Sequence, residues 1–122
     1  HITAEGIFQI SRDHSVVENM VAKGDLTPLE ARTHPNRNLI TRALGPDIHA
    51  KADTFELPWH KDEFLLLCSD GLVNTVSDQE MLFEVLHDGD VNECLDHLLQ
   101  ISLQRGAPDN ITAVLLLNEE GR

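Results

Sequence analysis

The chain has 122 residues, 41% apolar and 25% charged, a composition that fits one globular domain and excludes a disordered polymer. Twenty-one acids against nine Lys and Arg give a formal net charge of −12, which disfavours direct binding to nucleic acid or to an anionic membrane. No run approaches the ~20 apolar residues of a membrane span.

The first residues read as a β-hairpin, with Ile2-Thr3-Ala4 and Ile7-Phe8-Gln9-Ile10 flanking Glu5-Gly6. The chain opens at His1 without an initiator Met, so a fragment or a processed product is expected. Ser15 and Glu18 form a capping-box pattern ahead of Val16, Val17, Met20 and Val21, and Gly24 is the stop. A second box follows at Thr27-Pro28-Leu29-Glu30, and its helix is cut short by His34-Pro35. Residues 32–47 are polar and aperiodic yet hold Arg32, Arg37 and Arg42. Two readings stand there: arginines presented to an anionic group, or arginines paired with local acids.

Asp53 to Leu57 alternates and reads as a half-buried strand that ends at Pro58. After the turn Trp59-His60-Lys61-Asp62, the run Phe64-Leu65-Leu66-Leu67-Cys68 reads as a fully buried strand, antiparallel to the preceding one. Two helices are expected next. One is capped by Ser77, with apolar Met81, Leu82, Val85 and Leu86. The other is capped by Asp90, with Val91, Cys94, Leu95, Leu98 and Leu99 at i, i+3, i+4, i+7 and i+8. A turn at Ala107-Pro108-Asp109-Asn110 leads into a last, largely buried strand, Ile111 to Leu117. No linker or repeat interrupts the chain, so one compact α/β or α+β unit is expected.

Cys68 and Cys94 make neither a disulfide framework nor a zinc spacing, and read as small buried hydrophobes in a reducing, cytoplasmic setting. The seven histidines show no i, i+4 pair, and no phosphate-binding loop or dinucleotide motif is present.

Asp70 follows one apolar strand and Asp109 precedes another. If the two strands are antiparallel neighbours, both carboxylates share one sheet edge. Two carboxylates held close repel, and a cation between them resolves the repulsion; oxygen-only ligands suit Mg²⁺ or Mn²⁺. The bland reading is a turn cap at Asp70 and an Asx-turn at Asp109.

Leu66-Leu67-Cys68-Ser69-Asp70-Gly71-Leu72, with Ser77-Asp78-Gln79-Glu80 after it, resembles the C-terminal signature of the metal-dependent type 2C (PPM) protein serine/threonine phosphatases. Gly106-Ala107-Pro108-Asp109-Asn110-Ile111-Thr112-Ala113-Val114 resembles the final motif of that family. Asp13-His14-Ser15, the segment from Gly24 to His34-Pro35, and Asn38-Leu39-Ile40-Thr41-Arg42-Ala43-Leu44-Gly45 look like its bacterial branch.

The resemblance implies an α-β-β-α sandwich in which a metal-bound water attacks the phosphorus of a phosphoserine or phosphothreonine. It implies that Asp70 and Asp109 are metal ligands, that Gly71 and Asn110 support them, and that two or three Mg²⁺ or Mn²⁺ ions bind in the complete domain. Residues 24–45 correspond to a flap, where Arg37, Asn38 and Arg42 influence substrate access. The N-terminal half of the family pattern, with its Asp-Gly-Gly motif and phosphate-binding arginine, has no counterpart here. Residues 1–122 are therefore expected to be the C-terminal part of one catalytic domain, inactive alone, that pairs with the missing half, associates with a second copy through the exposed surface, or survives as a compact remnant. Two alternatives remain at this point: a relative acting on another phosphate ester, and a regulatory or binding module without catalysis.

Overall fold

The computed structural model describes residues 1–120 and divides into two compact units, one of His1–Gln9 with the chain from Leu57 onward, the other of Ile10–Glu56.

In the first unit, β1 (Ile2–Thr3) and β2 (Gly6–Ile7) form the predicted hairpin, shifted by one residue. Ile2 pairs with Ile7 and Thr3 with Gly6, so Ala4-Glu5 makes the turn. Ile2 also pairs with Phe64 at the start of β3 (Phe64–Cys68), whose other edge takes β4 (Ala113–Leu117). The result is a four-stranded antiparallel sheet in the order β2-β1-β3-β4. Asp53 to Leu57 forms no strand, contrary to expectation, because β1 and not the preceding segment occupies that edge of β3.

Numbered in chain order, α1 (Val16–Ala22) and α2 (Pro28–Thr33) lie in the second unit; α3 (Asp70–Val73), α4 (Asp78–His87) and α5 (Val91–Gln104) belong to the first. Ser77 Oγ accepts from the Glu80 amide to cap α4, and the Asp90 carboxylate accepts from the Asn92 amide to cap α5. Ile2, Leu72, Val76, Met81, Val85, Cys94, Leu98 and Leu115 form the buried core, and Phe64, Leu66, Cys68 and Ala113 pack against it from one sheet face. Each fully buried Leu or Val contributes about 1.5–3 kcal/mol.

The other sheet face corrects the expectation of buried strands. Leu67 is 58% exposed, Val114 50% and Leu116 42%. Leu65 lies opposite Leu116 and Leu67 opposite Val114, so these four side chains share one face by the two-residue period of a strand. An unbroken apolar run cannot say which of its faces is covered.

In the second unit, α1 (Val16–Ala22) and α2 (Pro28–Thr33) pack together, with Val17 and Ala31 buried. Thr27 and Glu30 form the reciprocal capping box. At α1 Ser15 Oγ accepts from the Glu18 amide. Ser15 also bridges Ile40, where the Val16 amide donates to the Leu39 carbonyl at 3.0 Å and the Thr41 amide to the His14 carbonyl at 2.8 Å. Among the described residues no helix is long and apolar enough to cross a membrane.

Candidate metal centre

The antiparallel register of β3 and β4 fixes the site. The last rung pairs Cys68 with Ala113, so the chain leaving β3 passes beside the chain entering β4. Ser69 carries the contact one residue further. Its amide donates to the Thr112 carbonyl at 2.9 Å, its Oγ accepts from the Thr112 amide at 3.0 Å, and the same hydroxyl donates to the Asn110 carbonyl at 3.4 Å.

Asp70 is then the first residue of α3, a helix absent from the sequence expectation. It is exposed, and among the described residues no hydrogen bond or ion pair engages its carboxylate. Asp109 lies on the facing loop, exposed, with one carboxylate oxygen accepting from the Asn110 amide at 2.7 Å. That bond runs to the next residue rather than two residues on, so it is not the simple Asx-turn of the bland reading.

Gly71 sets how closely the two loops approach. It is buried, and a Cβ on it would lie 3.0 Å from the Asn110 carbonyl carbon, with the carbonyl oxygen nearer still. The missing side chain admits the Asn110 backbone and so lets the Asp70 and Asp109 loops close on each other.

Behind α3 lies a polar layer that the sequence reading missed. Thr75 Oγ1 donates toward the Gly71 or Leu72 carbonyl, both at 3.1 Å, and shares a 2.7 Å bond with the fully buried Ser102 hydroxyl. Arg105 donates to the Thr75 carbonyl at 2.7 Å and to Glu80 at 2.6 Å, and chiefly that guanidinium holds the Glu80 carboxyl below its ordinary range. The available signal was Ser102 itself, a polar residue continuing the Cys94, Leu98 spacing on the buried face of α5.

In the second unit, Asp53 accepts from Arg42 at 2.8 Å and meets His14 Nε2 at 2.7 Å. The His14 bond first, and Arg42 next, hold the Asp53 carboxyl below the usual range. Arg42 is thus paired with a local acid, the second of the two readings of the arginine-bearing loop. Arg37 donates to the His34 carbonyl at 3.2 Å, and Asn38 is exposed.

A further acidic and histidine group, also unanticipated, stands on α4 and α5: ligand-capable atoms of Glu84, Asp88 and His97 all lie within 4.8 Å of one another. Its signal in the sequence is the i, i+4 pair Glu84 and Asp88, with no paired histidine or Cys-His spacing beside it.

No family model matches the chain. The serine/threonine phosphatase stp of Listeria monocytogenes is 35% identical over 117 residues, an alignment covering 93% of this chain and 46% of that protein. The structure superposes on serine/threonine phosphatase Stp1 from Staphylococcus aureus with a TM-score of 0.88 at 38% identity, covering 98% of this chain and 47% of the other. The catalytic domain of the phosphatase PstP, in complex with two manganese ions, matches with a TM-score of 0.75 at 34% identity, covering 93% and 46%. The fold is that of part of a PPM-type phosphatase domain. The chain is a relative of the bacterial serine/threonine phosphatases of that type, and spans about half the length of those it matches.

Proposed function

We propose that this chain is the C-terminal part of a metal-dependent phosphatase catalytic domain that hydrolyses phosphoserine and phosphothreonine in proteins. The observation that carries the reading is the joining of the two loops by Ser69 and Gly71, which brings Asp70 and Asp109 to the same end of the β3–β4 pair. The donor set fits a hard divalent cation. Asp70 offers a carboxylate that no described residue engages, and Asp109 has one oxygen steadied by the Asn110 amide.

Asp70 and Asp109 would hold Mg²⁺ or Mn²⁺, and such ions, when bound, supply Lewis acidity toward the phosphate ester and toward its attacking water. The role of the chain's own residues is orientation. Ser69 and Gly71 fix the spacing of the two loops, and Asn110 aims one oxygen of Asp109. The Thr75, Ser102 and Arg105 layer backs α3 from behind. Residues 24–45 serve as a flap whose Arg37, Asn38 and Arg42 influence substrate access, with Arg42 held by Asp53 from outside the segment.

The remaining ligands come from a preceding half of the domain, which covers the apolar face of Leu65, Leu67, Val114 and Leu116 and completes the sandwich. The exposure of that face and the length of the relatives support this reading. The fragment alone is inactive. Two free cysteines, one buried, suit a reducing cytoplasmic setting.

The test is Asp70→Asn and Asp109→Asn in the complete domain, assayed with Mn²⁺ on p-nitrophenyl phosphate and on a phosphothreonine peptide. Each variant should keep its circular dichroism spectrum and lose at least about 100-fold in kcat, the scale of removing one strong electrostatic stabiliser. Undiminished turnover in both would overturn the assignment.

A further inference from the structure

We propose a second cation site, separate from the Asp70 and Asp109 pair, formed by Glu84, Asp88 and His97 between α4 and α5. Glu84 and Asp88 are one helical turn apart, the first inside α4 and the second its C-terminal cap, and His97 projects from the second turn of α5. His97 Nδ1 lies 3.0 Å and 3.1 Å from the two oxygens of Asp88 and 3.6 Å from Glu84 Oε2.

An ordinary ion pair accounts for only part of this arrangement. One imidazole proton serves one carboxylate, whereas this ring faces oxygens of two acids, with Glu93 adding to the negative field. Ligand atoms ~2.0–2.2 Å from a zinc-sized ion stand roughly 3–4 Å apart. The three atoms here are already within 4.8 Å of one another, so a small inward movement is enough to enclose an ion.

The carboxylates are recessed, with side-chain exposures of 22% for Glu84 and 16% for Asp88, and the imidazole at 54% lies on the open side. Solvent can therefore fill the remaining coordination positions. One imidazole nitrogen with two carboxylates selects Zn²⁺, Co²⁺ or Ni²⁺ over Mg²⁺. The role is a structural clip that fastens the last turn of α4 to α5. It does not depend on the phosphatase reading, since none of its residues belongs to that centre.

The test uses Zn²⁺ alone with the 122-residue chain. The ring nitrogens of His97 are followed by ¹⁵N NMR, with stoichiometry from calorimetry and the melting temperature from circular dichroism. A site of this kind shows one-to-one saturation, a shift confined to His97, and a rise in melting temperature. All three persist in the Asp70→Asn, Asp109→Asn double variant. His97→Ala abolishes the binding, and Glu84→Gln, which keeps the helix surface intact, weakens it by at least about 10-fold, the lower end of what outer-shell partners cost. No saturation at millimolar Zn²⁺, undiminished binding in a folded His97→Ala chain, or loss of binding in the double aspartate variant would each overturn the proposal.

Discussion

Substituting Gly71 by Ala is the sharpest probe of how the two aspartate loops are joined. The added Cβ would sit 3.0 Å from the Asn110 carbonyl carbon, closer to its oxygen, and 3.3 Å from Ile111 Cγ1. The obstructing atoms are mainly backbone, so no rotamer change relieves them, and the loops must part. Forcing a methyl into packed surroundings costs about 1–3 kcal/mol. Opposing this, Ala within a helix gains ~0.8–1.0 kcal/mol over Gly, although α3 is a single turn. Since the clash is with backbone and α3 is too short to realise the full helix gain, the net expectation is a destabilisation toward the upper part of a range of about 0–2 kcal/mol, up to roughly 10 °C in melting temperature for a chain of this size. Thermal melting measures the first effect. Mn²⁺ affinity in the complete domain measures the second, because parting the loops separates Asp70 from Asp109. A variant that melts at or above the parent temperature and binds Mn²⁺ equally well would refute the reasoning.

Leu98→Ala empties the centre of the core beside Cys94 and Leu115 and should cost about 2–5 kcal/mol, read from the urea midpoint; a loss below 1 kcal/mol would contradict its place there. Ser102→Ala removes the partner of Thr75 but leaves it two carbonyl acceptors, so about 1 kcal/mol is expected, and a double-mutant cycle with Thr75→Val should show coupling. Asp53 has a lowered carboxyl pKa, so its pairing stabilises the fold above the ordinary carboxylate range and is lost as pH falls through that lowered value. An NMR titration of residues 41–53 should therefore step below the usual aspartate pKa, and a step at the usual value would count against the His14 and Arg42 contacts.

Helices α1, α2, α4 and α5 were legible because their ends are chemically marked, whereas the single turn α3, with no side-chain cap bond at Ser69, was not. Thr27 and Glu30 satisfy two amides at the start of α2, where Pro28 has no N–H to satisfy, and Ser77 and Asp90 each accept from one amide at α4 and α5. Strand partners were not legible. The alternation of Phe55 and Leu57 reports only local pattern, and the edge it was expected to fill is taken by Ile2, more than fifty residues from its partner Phe64. At the site, the positions of Asp70 and Asp109 at strand ends were enough to infer a shared edge. The chemistry that fastens that edge was hidden, because Ser69 and Gly71 act on backbone groups of a loop forty residues away.

The uncovered face of β3 and β4 also bears on how the chain behaves as a colloid. Four neighbouring aliphatic side chains attract any like surface at contact range, while a net charge of −12 repels it from further out. That repulsion reaches ~8 Å at physiological ionic strength and ~3 Å at 1 M salt. Dispersal therefore rests on charge. Adding salt, or lowering pH toward the carboxylate range, shortens or removes the repulsive shell and leaves the aliphatic face to govern how the molecules meet.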